Sequence, residues 1–233
     1  MKILFIGDSI TSGKLGASFV KLIARSDAKI RITNLGNDGE TLNIIVDRLL
    51  NHLEAKSDYD YLVFQGGYND IILPYFREKG HIFSRVYEQQ IKNGFIPMTN
   101  SNQFSEFLKT NILRIKRLFK GKIILLTIGC VGEDLNSKLN LQRNEFNEII
   151  RNVAAEENII LADTQAEFDR FLSGKAHSSY CLDNLWAVIW WDKLHKDPDK
   201  LSKKRKLFLT IDGVHLNKKG AAIFADCILN KIH

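Results

Sequence analysis

The stretch Ile3-Leu4-Phe5-Ile6-Gly7-Asp8-Ser9-Ile10 decides how this chain is read. Four apolar residues without polar alternation predict a strand covered on both faces. A Gly-Asp-Ser turn follows, and the pattern Leu15–Arg25 then predicts a helix. The same passage recurs along the chain. Strands are predicted at Ile30–Asn34, Tyr61–Gln65, Ile123–Ile128 and Ile159–Ala162, with helices at Thr41–Glu54, Ser105–Phe119, Asn140–Glu156 and Asn217–Lys231. Strands alternating with amphipathic helices predict an α/β fold around a parallel sheet. Two stretches, 71–102 and 164–209, break the alternation. Both follow strands at the edge where open parallel sheets carry ligand loops. The second contains a predicted helix, Asp183–Leu194, with Trp186, Trp190 and Trp191. We find no repeat and no separating linker, so the expectation is a single domain, 1–233, with two insertions.

Composition limits the function classes. The 233 residues are 45% hydrophobic and 26% charged with three prolines, unlike a disordered or collagen-like chain. Cys130, Cys181 and Cys227 form no C-x-x-C pair, so neither a disulfide framework nor a zinc ribbon is expected. The opening apolar run is shorter than the ~7–15 residues of a secretory signal. No segment approaches the ~20 residues of a membrane span. The expectation is a cytoplasmic protein without stable membrane insertion.

Four segments carry residues of chemical interest. Ser9 sits on a strand-to-helix turn, where a serine Oγ is presented at the sheet edge and a helix N-terminus favours an oxyanion. The alternative is a simple helix cap. Asp212 and His215, three residues apart, can bring carboxylate and imidazole together, leaving Nε2 free as a base. They can equally be a turn cap and a partly exposed histidine. Gly36 and Gly39 follow the second strand, where a glycine lets substrate approach a backbone N–H. After Gly66-Gly67 at the end of the third strand, the Asn69 amide is a candidate donor. Turns alone also favour these residue types. Their convergence on one sheet edge is the stronger observation.

Gly7-Asp8-Ser9, Gly39, Gly67-Tyr68-Asn69-Asp70 and Asp212-Gly213-Val214-His215 resemble, in order, the four blocks of the SGNH hydrolases, also called GDSL esterases/lipases. The resemblance spans nearly the whole chain. It implies a flavodoxin-like three-layer α/β/α sandwich with a five-stranded parallel sheet. It implies Ser9 as nucleophile, His215 as base and Asp212 as its orienter. The oxyanion hole would comprise the Ser9 N–H, the Gly39 N–H and the Asn69 side chain. Gly39 is preferred to Gly36 because Glu40-Thr41 follows it, where the family usually has Asp-Thr. The implied activity is hydrolysis of a carboxylic ester, with acetyl or short acyl groups on a carbohydrate as the favoured substrate. No metal or organic cofactor is implied.

Three rivals stand beside this expectation. A lipase or lysophospholipase would use the tryptophan helix as a lid, whereas a carbohydrate esterase would stack sugars on it. Core packing explains the same tryptophans. A non-catalytic binding module would keep the fold alone. Nucleic-acid binding would account for the net charge of +6. However, residues 192–206 hold seven Lys and Arg against three Asp, a local net of +4. No aromatic interleaving or nucleic-acid motif accompanies that cluster. We therefore expect no nucleic-acid partner, and an anionic substrate or partner is the better account of the charge. Oligomeric state is left open.

Overall fold

The computed structural model describes residues 1–176, 178–183 and 197–232. The tryptophans and Lys193–Lys196 therefore lie outside the described residues. Strands β1 (Lys2–Gly7), β2 (Arg31–Gly36), β3 (Tyr61–Phe64), β4 (Lys122–Leu126) and β5 (Ile160–Ala162) form one all-parallel sheet. Their order is β2-β1-β3-β4-β5. Chain progression reverses beside β1, which makes the carboxyl ends of β1 and β3 the expected ligand edge. Register keeps those ends level, pairing Gly7 with Gly36 and Ile6 with Phe64.

The apolar runs are explained by burial on both faces. Ile3, Leu4, Phe5 and Ile6 are all fully buried. Beyond the turn α1 (Ser9–Ser12), helix α2 (Phe19–Ser26) begins one face layer. Helix α10 (Lys218–Leu229) packs on both α2 and α8 (Thr164–Leu172), and its Phe224 contacts Phe19 and Phe168 at 5.4 and 5.5 Å between centroids. The other layer contains α3 (Leu42–Ala55), α6 (Ser101–Leu118) and α7 (Lys138–Glu156). There Phe104 stacks on Phe146 at 4.1 Å. The buried residues of α3 fall at 42, 45, 46, 49, 50 and 53, the spacing of one helix face.

Several helices start elsewhere than hydrophobic periodicity predicts, because polar caps set their beginnings. Asn100 Oδ1 accepts from the N–H groups of Asn102 and Gln103, starting α6 ahead of the predicted Ser105. Ser137 caps α7 and Ser18 caps α2 in the same manner. The stretch 71–102 is not an irregular loop. Helix α4 (Tyr68–Glu78) starts directly after Gly67, and α5 (His81–Lys92) packs on it through Phe76 and Phe83. Within 164–209, α8 completes an ordinary strand–helix unit, and α9 (Pro198–Lys204) lies close before the Asp212 segment. All three cysteines are free. No described helix is long and apolar enough to cross a membrane.

Candidate active site

Fully buried Asp8, rather than Ser9, caps the turn after β1. Its Oδ1 accepts from Ile10 N–H at 2.9 Å, and its Oδ2 accepts from Gln65 Nε2 at 2.8 Å. Gln65 Oε1 in turn accepts from the Thr11 hydroxyl at 2.8 Å. Burial pushes the Asp8 carboxyl up to about 6, against the lowering effect of those hydrogen bonds. This network fixes the turn and leaves the Ser9 side chain free of the capping role.

Ser9 Oγ stands 3.0 Å from His215 Nε2, and His215 Nδ1 stands 2.7 Å from Asp212 Oδ2. Asp212 is fully buried, and its Oδ1 accepts from the N–H groups of Val214 and His215 at 3.0 and 2.8 Å. It is thus both turn cap and imidazole partner, the two readings left open by spacing alone. Burial by itself raises the Asp212 carboxyl. The charge and hydrogen bonds of His215 outweigh that effect and hold it below the ordinary carboxylate value. Burial likewise lowers His215, but the Asp212 charge and hydrogen bond, then Asp8 and Asp38, hold it above the ordinary histidine value. With the Asp212 carboxylate accepting at Nδ1, that nitrogen carries the imidazole proton. Nε2 then faces Ser9 with its lone pair.

The donors expected from the second and third strands reach the same place. Ser9, Gly39, Asn69 and His215 line one cavity of about 230 Å³, walled by apolar residues including Ile72, Phe76, Val86 and Leu182. Asn69 is nearly buried and donates from Nδ2 to the Glu40 carbonyl at 2.9 Å. An amide nitrogen has two hydrogens, so this bond fixes the side chain while leaving a second donor. Gly36, the last residue of β2, and Gly39, in the loop that follows, have different tasks. A Cβ on Gly36 would lie 2.1 Å from Ser12 N, so Gly36 permits close packing of β2 on the Ser9 turn. Gly39 has φ of +81° and lines the cavity.

Sequence reasoning missed the supports beneath these groups. The Glu40 carboxylate, 3% exposed, is ion-paired with Arg48, which also donates to the carbonyls of Gly7 and Leu35. One guanidinium therefore ties together the ends of β1 and β2. Asp70, fully buried beside Asn69, accepts from Leu42 and Met98 N–H groups at 3.0 and 2.9 Å. Arg48 follows Asp47 in a helix that also carries Asn43, Asn51 and His52, so its charge was no signal. Nothing in its spacing identifies its partners.

Comparison with known proteins accords with this geometry. The model of the family described as GDSL-like Lipase/Acylhydrolase matches residues 3–228. An acetylxylan esterase of Geobacillus stearothermophilus is 26% identical over 217 residues, covering 83% of this chain and 85% of that protein. Two solved structures share the fold. The acetyl xylan esterase AlAXEase superposes with a TM-score of 0.67 at 20% identity, covering all of both chains. A member of the lipolytic protein G-D-S-L family from Veillonella parvula gives 0.63 at 21% identity, covering 99% of this chain and 97% of that one. The family match over nearly the whole sequence establishes that this chain belongs to the GDSL-like lipase/acylhydrolases and is a carboxylic ester hydrolase.

Proposed function

We propose that Ser9, His215 and Asp212 are the catalytic triad of an esterase that removes acetyl or short acyl groups from a carbohydrate. The observation carrying this reading is the continuous contact Asp212–His215–Ser9, at 2.7 and 3.0 Å, on the wall of an apolar cavity. Ser9 Oγ attacks the ester carbonyl as His215 Nε2 takes its proton. The Ser9 N–H, Gly39 N–H and Asn69 Nδ2 stabilise the tetrahedral oxyanion. Collapse breaks the carbonyl–alkoxy bond, and the alcohol leaves with the proton from His215. Water, deprotonated by His215, then attacks the acyl-enzyme, releasing the acid and restoring Ser9.

Two observations support the substrate class. The sequence relative and one structural neighbour are named for action on acetylxylan. The cavity, at about 230 Å³, is smaller than the ~300–1,000 Å³ of sites that enclose drug-sized ligands. Its size favours a short acyl group over a lipase substrate. The test is acetate release from acetylated xylo-oligosaccharides, with Ser9→Ala as the blank. An organophosphonate should add to Ser9 in the intact protein. A folded sample that neither releases acetate nor takes the label would instead be a binding module.

A further inference from the structure

Glu133, on the loop after β4, is only 1% exposed, and its hydrogen bonds go to residues 208–210 rather than to Ser9 or His215. Among the described residues its carboxylate accepts four hydrogen bonds. Oε2 accepts from Phe208 N–H at 2.7 Å. Oε1 accepts from Leu209 N–H and Thr210 N–H, both at 2.8 Å, and from the Thr210 hydroxyl at 2.7 Å. All four donors belong to the three residues before Ile211-Asp212. A buried carboxyl is costly unless its oxygens are satisfied, and here one chain segment satisfies both.

The arrangement continues toward the catalytic pair. Because the Thr210 hydroxyl gives its hydrogen to Glu133, its oxygen is oriented to accept from Gly213 N–H, at 3.1 Å. The Gly213 carbonyl accepts from Gly132 N–H at 2.7 Å, the residue next to Glu133. Asp212 therefore sits between two residues tied back to one loop. The Ile211 N–H also donates to the His215 carbonyl at 2.7 Å, which closes the turn carrying both side chains.

We propose that Glu133 is a positioning residue for ester hydrolysis: it holds the 208–213 segment so that Asp212 presents His215 to Ser9. This rests on the triad reading above. Nothing in the four sequence blocks includes Glu133, which lies between the third and fourth. Its effect passes through Thr210 and Gly213 and needs no contact with substrate. Misplacement of reacting groups by about 1 Å can cost about a hundredfold in rate, so a short relay of this kind has ample leverage.

Glu133→Gln keeps the shape but replaces an accepting oxygen with an NH₂ group facing backbone donors. Thr210→Val is milder, since it removes only the hydroxyl between Glu133 and Gly213. Both are assayed on p-nitrophenyl acetate beside His215→Ala, with folding checked by circular dichroism. Glu133→Gln is expected to lower kcat by roughly tenfold to a hundredfold, with KM nearly unchanged. Thr210→Val should act in the same direction but less. Asp212, Asp8 and Asp38 are the charged groups acting on His215, and both variants leave all three in the chain. Loosening Asp212 should move the acid limb of the kcat/KM profile to lower pH, which a general loss of stability does not do. Wild-type kcat and profile in the folded variants would overturn the proposal, and so would a lower kcat with an unmoved acid limb. If Glu133→Gln does not fold, Thr210→Val decides by the same two readouts. Retained activity in His215→Ala would instead overturn the triad reading itself.

Discussion

Asn69 Nδ2 donates to the backbone carbonyl of Glu40 at 2.9 Å, joining the first turn of α4 to the loop after β2. The bond orients the side chain before any substrate is present, which is the condition for effective oxyanion stabilisation. Both segments line the Ser9 cavity, through Gly39 and Asn69.

Asn69→Ala is therefore expected to raise the barrier by roughly 2.7–4 kcal/mol, or about 10²–10³ in kcat. KM should change little, because the donor acts on charge that develops in the transition state. Steady-state kinetics on p-nitrophenyl acetate separate the two parameters. An unchanged kcat would remove Asn69 from the oxyanion hole.

The pH profile tests the Asp212–His215 contact. Protonated His215 cannot accept the Ser9 proton, so activity is lost as pH falls through the histidine's pKa. Burial lowers that value, but the Asp212 charge and hydrogen bond raise it above the ordinary one. Asp212→Asn removes the raising influence, so the acid limb of kcat/KM should move to lower pH. By analogy with triads elsewhere, kcat should fall by about 10⁴. An acid limb that stays in place would show that Asp212 does not set the base.

Cavity size makes a prediction about chain length. Ile72, Phe76, Val86 and Leu182 leave about 230 Å³ beside Ser9. Acetyl and butyryl p-nitrophenyl esters should be hydrolysed faster than the decanoyl ester. Val86→Trp should penalise butyryl more than acetyl by filling the cavity. A kcat/KM that rises steadily to decanoyl would favour the lipase-type alternative.

How much of this was legible in the sequence follows from what each residue depends on. The central strands β1, β3 and β4 were readable because burial on both faces writes an unbroken apolar run, as in Ile3–Ile6. Ser9, Asp212 and His215 could be singled out as candidates because the proposed chemistry calls for particular residue types at the ends of elements. Helix starts were less so, because a single cap such as Asn100 does not disturb hydrophobic periodicity. Glu133 and Arg48 were invisible for a different reason. Their partners lie 75 to 77 residues away for Glu133, and on two separate strand ends for Arg48. No local pattern encodes such pairings.

Gly36 and Gly39 should fail in different ways. A Cβ at Gly36 would collide with backbone at Ser12 N and Thr11 C, at 2.1 and 2.5 Å, and backbone cannot rotate aside. Gly36→Ala should therefore lower Tm sharply. A Cβ at Gly39 would meet only ordinary contacts at 3.6 and 3.7 Å, but φ of +81° costs a non-glycine residue about 1–2 kcal/mol. Gly39→Ala should consequently keep most of its stability and lose kcat as the loop N–H shifts. Thermal denaturation and kinetics on both variants distinguish packing from catalysis. Equal losses of Tm would contradict the separation of roles.

Asp70 predicts how stability responds to pH. Its carboxyl is fully buried, and burial pushes it up to about 7 from an ordinary 3.8, despite the Met98 and Leu42 hydrogen bonds that lower it. The folded state thus holds this proton more tightly than the unfolded chain. Its contribution is fully present below 3.8 and is lost as pH rises toward about 7. Over that interval of about three pH units the loss is about 4 kcal/mol. Asp70→Asn cannot titrate, although its amide leaves one of the two backbone donors facing an NH₂ group. The variant should be less stable at low pH, and the wild-type advantage in Tm should shrink as pH rises from 4 to 7 and then level off. An advantage that grows over the same range would mean that Asp70 is ionised throughout, held by its two backbone donors more strongly than burial opposes them.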